Sequence, residues 1–262
     1  MSVKLSVCIV AYNNYEDIKK AIESLEKFTS IYITKKIYIV DNGVSISLPS
    51  NIIKFKEFIK NYNDIFYIDS KCNLGFGKGH NQVINLIDSE YHAIINPDII
   101  FCEDSFSKIL KWMDLNKDIG MTIPYIINEN GNKQEVYRRE LTVFDVFNRM
   151  FLKGFFKKRF EKHIMKDMDF NMPFQVPFGQ GSFLVIRSIL FKKLDGFDDR
   201  FFMYCEDADL CKRVNLISKL MYFPNTKIIH KWEKGSHHNI KLLKYHIISM
   251  LLYFKKWGLK LL

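Results

Sequence analysis

The first apolar run, Leu5-Ser6-Val7-Cys8-Ile9-Val10-Ala11-Tyr12, has almost no polar interruption. Such a run predicts a strand covered on both faces, as in a parallel sheet flanked by helices. The period then changes. Ile18, Ala21, Ile22 and Leu25 recur at helical spacing, behind Asn13 or Asn14 as a cap and with Glu16 and Asp17 in the dipole-favoured first turn. Lys36-Ile37-Tyr38-Ile39-Val40-Asp41 predicts a second strand ending in a carboxylate and an Asn42-Gly43 turn, and Ile65-Phe66-Tyr67-Ile68 predicts a third. Gly75-Phe76-Gly77-Lys78-Gly79-His80-Asn81 leads into an expected helix with Val83, Ile84 and Ile87 inward. Tyr91-His92-Ala93-Ile94-Ile95 closes this half as a buried strand that Asn96-Pro97-Asp98 must end, because proline cannot donate to a ladder. Strands alternating with helices predict an α/β fold with a doubly wound, mainly parallel sheet.

The second half changes character. Asp104 or Ser105 is expected to start a helix with Ile109, Leu110 and Met113 as core. The segments 119–127 and 135–138 predict a hairpin around Glu129-Asn130-Gly131-Asn132. Residues 142–170 interleave Phe144, Phe147, Phe151, Phe155, Phe156 and Phe160 with Lys153, Lys157, Lys158 and Arg159. A helix with a buried aromatic face is the expectation there, with any exposed part able to touch lipid. Gly179-Gln180-Gly181-Ser182 enters a strand running to Arg187, and 219–229 predict another that ends at His230. From Ile240 onward, Leu243, Ile247, Met250, Leu251, Phe254 and Leu261 mark one helical face, with Lys241, Lys244, Lys255, Lys256 and Lys260 supplying charge. Such a helix either packs on the domain or lies on an anionic membrane.

Composition narrows the classes. A chain of 262 residues with 48% hydrophobic and 26% charged positions can bury a full core and is not disordered. A formal charge of +10 suggests an anionic partner. Its lysines are scattered, locally dense only at 153–166 and 241–260, which favours phosphates or a membrane surface over nucleic acid. Cys8, Cys72, Cys102, Cys205 and Cys211 are odd in number and form no Cys-x-x-Cys pair, so reduced thiols in a cytosolic protein are expected. Met1-Ser2-Val3-Lys4-Leu5 shows no signal-peptide pattern and no apolar run reaches the ~20 residues that span a bilayer, so the expectation is a protein that is soluble or rests on a membrane face.

Carboxylates at strand exits carry the candidate chemistry. Asp98 would sit where open α/β sheets bind ligands, and a hard oxygen donor there suits Mg²⁺ or Mn²⁺ carrying a diphosphate. The same residues also read as a simple Asn-Pro-Asp turn. Asp41 is either a turn former or a contact to a base or ribose. The glycines at 75, 77 and 79 match neither the dinucleotide fingerprint nor a P-loop. Glu206, Asp207 and Asp209 crowd three carboxylates into four residues, which raises their pKa values unless a cation or solvent relieves them. They are either a solvated helix N-terminus or a general base in a cleft, with Asp209 better suited to an orienting role. His230, His237 and His238 match no zinc spacing.

Taken in order, strand ends at Ala11-Tyr12-Asn13 and Val40-Asp41-Asn42, then Asn73-Leu74-Gly75-Phe76-Gly77 with Asn81, resemble the nucleotide-binding half of family 2 glycosyltransferases. Asn96-Pro97-Asp98 is similar to their metal-binding motif. Gly181-Ser182-Phe183-Leu184-Val185 and Gly196-Phe197-Asp198 through Phe201-Phe202-x-Tyr204-x-Glu206-Asp207-x-Asp209-Leu210 resemble their acceptor-side signature. The resemblance runs from about residue 3 to 235 and is most similar to bacterial rhamnosyltransferase-like enzymes of surface polysaccharide assembly.

It implies a GT-A fold: a Rossmann-like, mixed but mostly parallel sheet over 1–238, with a nucleotide-sugar half at 1–100, an acceptor half at 101–238, and a basic amphipathic helix at 239–262. It implies inverting transfer, with Asp207 as base and donor contacts from Ala11, Tyr12, Asn13, Asp41, Gly75, Asn81, Asn96 and Asp98. On the acceptor side it implies Gly181, Ser182, Tyr204 and Glu206, and as ligands of Mg²⁺ or Mn²⁺ it implies Asp98 and His230. The usual Asp-x-Asp stands here as Asn-x-Asp, which puts the metal requirement in doubt. The processive Gln-x-x-Arg-Trp signature is absent, favouring addition of one or a few sugars. The lead donor is dTDP-rhamnose, with a UDP-hexose or galactofuranose donor as the alternative. The acceptor is a lipid-linked glycan at the inner face of the cell membrane, with an anionic membrane surface as a further partner and no nucleic acid. A nucleotidyltransferase would need a basic glycine-rich loop that Ala11-Tyr12-Asn13-Asn14 lacks. A non-catalytic membrane- or nucleic-acid-binding protein would leave Glu206-Asp207 unexplained.

Overall fold

The computed structural model describes residues 3–43, 49–151, 155–231 and 240–261. The predicted strands appear as β1 (Leu5–Ala11), β2 (Lys35–Asp41), β3 (Ile65–Asp69) and β4 (Tyr91–Ile95), each parallel to its neighbour in the order β3-β2-β1-β4. Helix α1 (Tyr15–Phe28) buries Ile18, Ala21, Ile22 and Leu25, the stripe its periodicity marks. Burying Ile18, Ile22 and Leu25 contributes about 1.5–3 kcal/mol each. Asn14 does stand at its N-cap, but its Oδ1 accepts from the Tyr12 N–H (2.9 Å) rather than from the helix, tightening the turn out of β1.

The sheet does not stop at β4. Strand β5 (Ile99–Phe101) follows the proline turn, α4 (Ser105–Leu115) is capped by Asp104 Oδ1 on the Ser107 N–H (3.1 Å), and β6 (Ile119–Ile127) comes next. Strand β10 (Phe183–Arg187) then inserts antiparallel between β4 and β6, and β11 (Lys219–His230) runs parallel to β6 and antiparallel to β5. The described order is β3-β2-β1-β4-β10-β6-β11-β5, with β8 (Phe174–Gln175) joined to β11. Both expected halves therefore share one mixed sheet. Its central strands are buried on both faces, with α1, α2 (Pro49–Ile59), α4, α7 (Ser188–Lys193) and α8 (Glu206–Ile217) packed around it.

Several local expectations change. The helix after Gly75 is short: α3 (Phe76–Asn81) contains the glycines, and Val83 and Ile87 are buried from turns that follow it. The hairpin of 119–138 forms only at its tip, where Ile127 bridges Lys133. Strand β7 (Tyr137–Arg138) leaves to pair with β9 (Phe178–Gly179), because Tyr137 turns inward to bond the Ile126 N–H and the Pro124 carbonyl. Residues 142–170 make two short helices, α5 (Val143–Phe151) and α6 (Lys157–His163), rather than one helix with a buried aromatic face. Val146, Ile164 and Met165 are buried there while Phe147, Phe155 and Phe156 are exposed; Lys153 lies outside the described residues.

Helix α9 (Ile240–Trp257) packs on the domain through Ser249, Tyr253 and Phe254, and leaves Ile240, Leu243, Ile247 and Leu251 facing outward. Its inner side meets one loop: Tyr245 rests on Phe202, His246 stacks on Tyr204, and Ser249 Oγ donates to the Met203 carbonyl (2.7 Å). Among the described residues no helix is long and apolar enough to cross a membrane.

Candidate active site

Because β1, β2 and β4 are parallel, their C-terminal ends lie together, and the first half of the site is built there. Asp41, at the end of β2, is buried and fully engaged. Its Oδ2 accepts from the hydroxyls of Tyr15 (2.8 Å) and Tyr67 (2.5 Å), and its Oδ1 accepts from the Gly43 N–H (2.8 Å). Burial, and then the bond to Asp41, push both tyrosine pKa values far up, so they remain donors. A Cβ on Gly43 would stand 2.9 Å from Asn13 Oδ1, Asp41 Oδ1 and Tyr15 Oη, so these polar groups meet at one point. Asn13 reaches it with φ 61°, just beyond Ala11, while Tyr12 is exposed. Tyr15 and Tyr67 carried no sequence signal beyond being aromatic residues near strand ends.

Gly75 and Asn81, expected as donor contacts, each make close contacts to the 196–205 loop. Gly75 has φ +81°, and a Cβ on it would stand 1.9 Å from the Phe202 carbonyl oxygen. Only glycine allows this approach, and the Phe76 N–H donates to the same carbonyl (3.2 Å). Asn81 donates to the Phe197 carbonyl and to Asp199, both at 2.7 Å, and accepts from the Phe197 N–H (2.9 Å). Both residues join the first half to the 196–205 loop.

The seam between β4 and β10 carries the acidic groups. Phe183 pairs with Ile95, so the residues before β10 face those after β4, and the Asn96 N–H donates to the Ser182 carbonyl (2.8 Å). One residue back, the Gly181 N–H donates to Asp207 Oδ2 (3.0 Å). A Cβ on Gly181 would stand 3.2 Å from that of Asp207, which keeps the position small. The exit of β4, with Asp98, and the start of α8, with Asp207, therefore flank one seam. Both are legible in the sequence; their convergence is a property of β10.

Asp207 is the second residue of α8, entered through Tyr204 and Cys205 at φ 70° and 63°. Two successive left-handed non-glycine residues are strained, and such strain persists where surrounding structure holds it. Here α9 holds it, through Tyr245, His246 and Ser249. In the N-terminal turn Glu206 and Asp209 are buried, while Asp207 between them is half-buried. Burial raises the pKa of Asp207, while the N–H groups of Gly181 and Ala208 and the charge of Arg138 on β7 oppose that rise. Burial and the neighbouring Asp207 push Glu206 well above the usual carboxylate range. Asp209 does orient rather than react: it accepts from Arg213 (2.8 Å) and Trp257 (2.9 Å) and pairs with Lys256 (2.6 Å). Two buried atoms here, Ser182 Oγ and Glu206 Oε2, have no protein partner.

At the other side of the seam, β11 delivers His230 opposite Ile99. Its Nε2 lies 3.4 Å from Asp98 Oδ1 and 3.4 Å from Asn96 Nδ2. Gln134 faces the other ring edge, with Oε1 at 2.7 Å from Nδ1 and Nε2 donating to the His230 carbonyl (2.6 Å). The Asp98 carboxylate suits Mn²⁺ or Mg²⁺, the His230 imidazole suits a transition ion better than Mg²⁺, and Asn96 adds a neutral amide. Among the described residues no group of three or more His, Cys, Asp or Glu side chains could hold a metal alone. A cation held by Asp98 and His230 would take its remaining ligands from outside this pair, as water or other oxygens. His237 and His238 lie outside the described residues.

A mixed, mostly parallel sheet flanked by helices, with Asp98 and Asp207 beside the join of β4 and β10, has the architecture of the GT-A fold. The chain belongs to the family described as glycosyl transferase family 2, matched over residues 6–195. It is 28% identical over 263 residues to the rhamnosyltransferase WbbL of Escherichia coli K12, covering 95% of this chain and 92% of that one. It is 22% identical over 243 residues to the N-acetylglucosaminyl-diphospho-decaprenol L-rhamnosyltransferase of Mycobacterium tuberculosis, covering 88% and 76%. Among solved structures it resembles GalNAc-T7 with UDP, GalNAc and Mn²⁺ (TM-score 0.69, 17% identity, 91% of this chain). It also resembles the mannosyltransferase PcManGT of Pyrobaculum calidifontis with GDP-mannose and Mn²⁺ (TM-score 0.67, 12% identity, 98% of this chain). This chain spans 45% and 65% of those two, and the likeness establishes the fold.

Proposed function

We propose that the chain transfers a sugar, with inversion, from a nucleoside-diphosphate donor to a hydroxyl of a lipid-linked glycan, and that dTDP-rhamnose is the lead donor. The single supporting observation is the join where β4 ends and β10 begins, with Asp98 two residues past Asn96, and Asp207 held by the Gly181 N–H at the same end. Asp98 and His230 would hold the cation, with the donor diphosphate completing its shell. A bound divalent cation offsets the charge that grows on a departing diphosphate. Asp207 takes the proton of the acceptor hydroxyl as its oxygen attacks the anomeric carbon, while the bond to the diphosphate breaks on the opposite face. Asn13, Tyr15, Asp41 and Tyr67 form the polar floor for the nucleoside, and Ser182, Tyr204 and Glu206 line the acceptor side.

The rhamnose reading leans on relatives, two of which are named as rhamnosyltransferases, one of them with a decaprenol-linked substrate. Docking of the outer face of α9 on an anionic inner membrane surface would bring such an acceptor to the 202–207 loop. The test is nucleoside diphosphate release in Mn²⁺ from dTDP-rhamnose and a panel of UDP-sugars, with and without a lipid-diphosphate N-acetylglucosamine acceptor. Acceptor-dependent release of dTDP is expected. Preference for a UDP-sugar would reassign the donor, and release indifferent to acceptor with every donor would remove the transfer reading.

A further inference from the structure

Gln134 is nearly fully buried, in the tip that joins β6 to β7, and its backbone is pinned there by its N–H on the Ile126 carbonyl (2.9 Å). Because β6 pairs in parallel with β11, matching Ile127 to Ile229, this places Gln134 beside the end of β11. Its side-chain amide then makes both of its contacts to one residue, His230. The orientation of that amide follows from chemistry. The His230 carbonyl can only accept, so the amide end facing it is the NH₂ group, and the other end is Oε1. Oε1 can only accept, so the ring nitrogen facing it, Nδ1, carries the proton. A neutral His230 ring therefore keeps its lone pair on Nε2, the atom 3.4 Å from Asp98 Oδ1.

We infer that Gln134 is a positioning residue: it sets the tautomer of His230 and turns the Nε2 lone pair toward Asp98, where the cation would sit. The inference rests on the donor-site reading above for its use, and on the hydrogen-bond geometry alone for the tautomer. Nothing in the sequence pointed to Gln134. It lies 96 positions from His230 along the chain, outside every motif. Partners that fix a ligating histidine's second nitrogen commonly change metal affinity 10–100-fold when removed.

The test uses full-length protein with ¹⁵N-labelled histidine, free of metal, at a pH where the ring is neutral, with the His230 signals assigned through His230→Gln. The expected wild-type pattern is a protonated Nδ1 and an unprotonated Nε2. Gln134→Met should move both nitrogens toward a mixture of tautomers. Gln134→Glu, which still accepts from Nδ1, should restore the wild-type ring pattern. Calorimetry with Mn²⁺ in the presence of dTDP should show about 10–100-fold weaker Mn²⁺ binding in Gln134→Met. A wild-type ring protonated on Nε2 would overturn the inference, and so would Gln134→Met with an unchanged ring pattern and unchanged Mn²⁺ affinity. The wild-type spectrum decides the tautomer even if a variant does not fold. Failure of sugar transfer with every donor would count against the functional reading and would leave the ring pattern as measured.

Discussion

Asp207 has to be an ionised base while half-buried in the turn that starts α8. Burial raises its pKa, and the Gly181 and Ala208 N–H groups, with Arg138, hold the charged form within reach. Asp207→Asn keeps the shape and the contact to Gly181 but cannot take a proton. Turnover should fall by at least about 10²–10⁴-fold, while dTDP affinity in Mn²⁺ stays within about twofold by calorimetry. Near-normal turnover would remove Asp207 as the base. Because its pKa is raised, the acid limb of kcat/KM should lie above the ordinary Asp value of about 3.9. Arg138 opposes the rise, so Arg138→Gln should move that limb to still higher pH; an unmoved limb would show that the charge is not felt. Asp98 and Asp207 were legible because each ends or begins an element within a recognisable run. Tyr15, Tyr67, Gln134 and Arg138 were not, because each acts on a partner that only the tertiary fold brings near.

The C-terminal helix shows how far periodicity reads and where it stops. Its apolar spacing predicts α9, and of the two outcomes left open by the sequence the structure shows packing on the domain, through Ser249, Tyr253 and Phe254. The inner face holds the strained 202–205 loop and supplies Lys256 and Trp257 to Asp209, which is fully buried. The outer face keeps Ile240, Leu243, Ile247 and Leu251 beside Lys241, Lys244 and Lys255, all exposed. Asp209→Asn retains shape but takes the buried charge away from Arg213 and Lys256, which keep only the Leu194 and Gly196 carbonyls and Asp198 (2.8 Å) respectively, and removal of one partner from a buried ion pair costs about 3–5 kcal/mol. Arg213 and Lys256 keep some solvent, so a loss near the lower end is expected in denaturant titrations. A loss under about 1 kcal/mol would show that the cluster is not a clamp. Deleting the helix would confound any membrane assay by breaking this cluster. The cleaner variant is Lys241→Glu, Lys244→Glu and Lys255→Glu together, which should abolish flotation with phosphatidylglycerol vesicles without lowering the thermal midpoint. Unchanged flotation would discard the membrane role of α9.

The sheet as a whole closes over two buried histidines. Burial depresses the pKa of His80 well below its ordinary value and that of His92 to about 3. In the unfolded chain each binds a proton below about pH 6.5; in the folded protein they do not until far lower. The unfolded state thus holds more protons on acidification. The contribution of these groups is fully present above pH 6.5 and drains as pH falls toward 3, by up to about 1.4 kcal/mol per pH unit for each. The thermal midpoint should drop between pH 7 and pH 5. His92→Asn, whose amide can keep the bond that His92 Nδ1 makes with Ser6 Oγ (2.8 Å), should flatten that drop. Parallel midpoint curves for the two proteins would exclude His92 as the cause.

The antiparallel insertion of β10 has a consequence for how the molecule is made. Strands β1 to β4 leave the ribosome early and can pair among themselves, but the free side of β4 has no partner until residues 183–187 have been synthesised. Through that interval the nascent chain carries an open strand edge with unpaired N–H and C=O groups, the kind of surface that invites pairing with a neighbouring chain. Slowing translation before residues 183–187 have emerged from the ribosome should therefore lower the yield of active protein, whereas a pause after they have emerged should not.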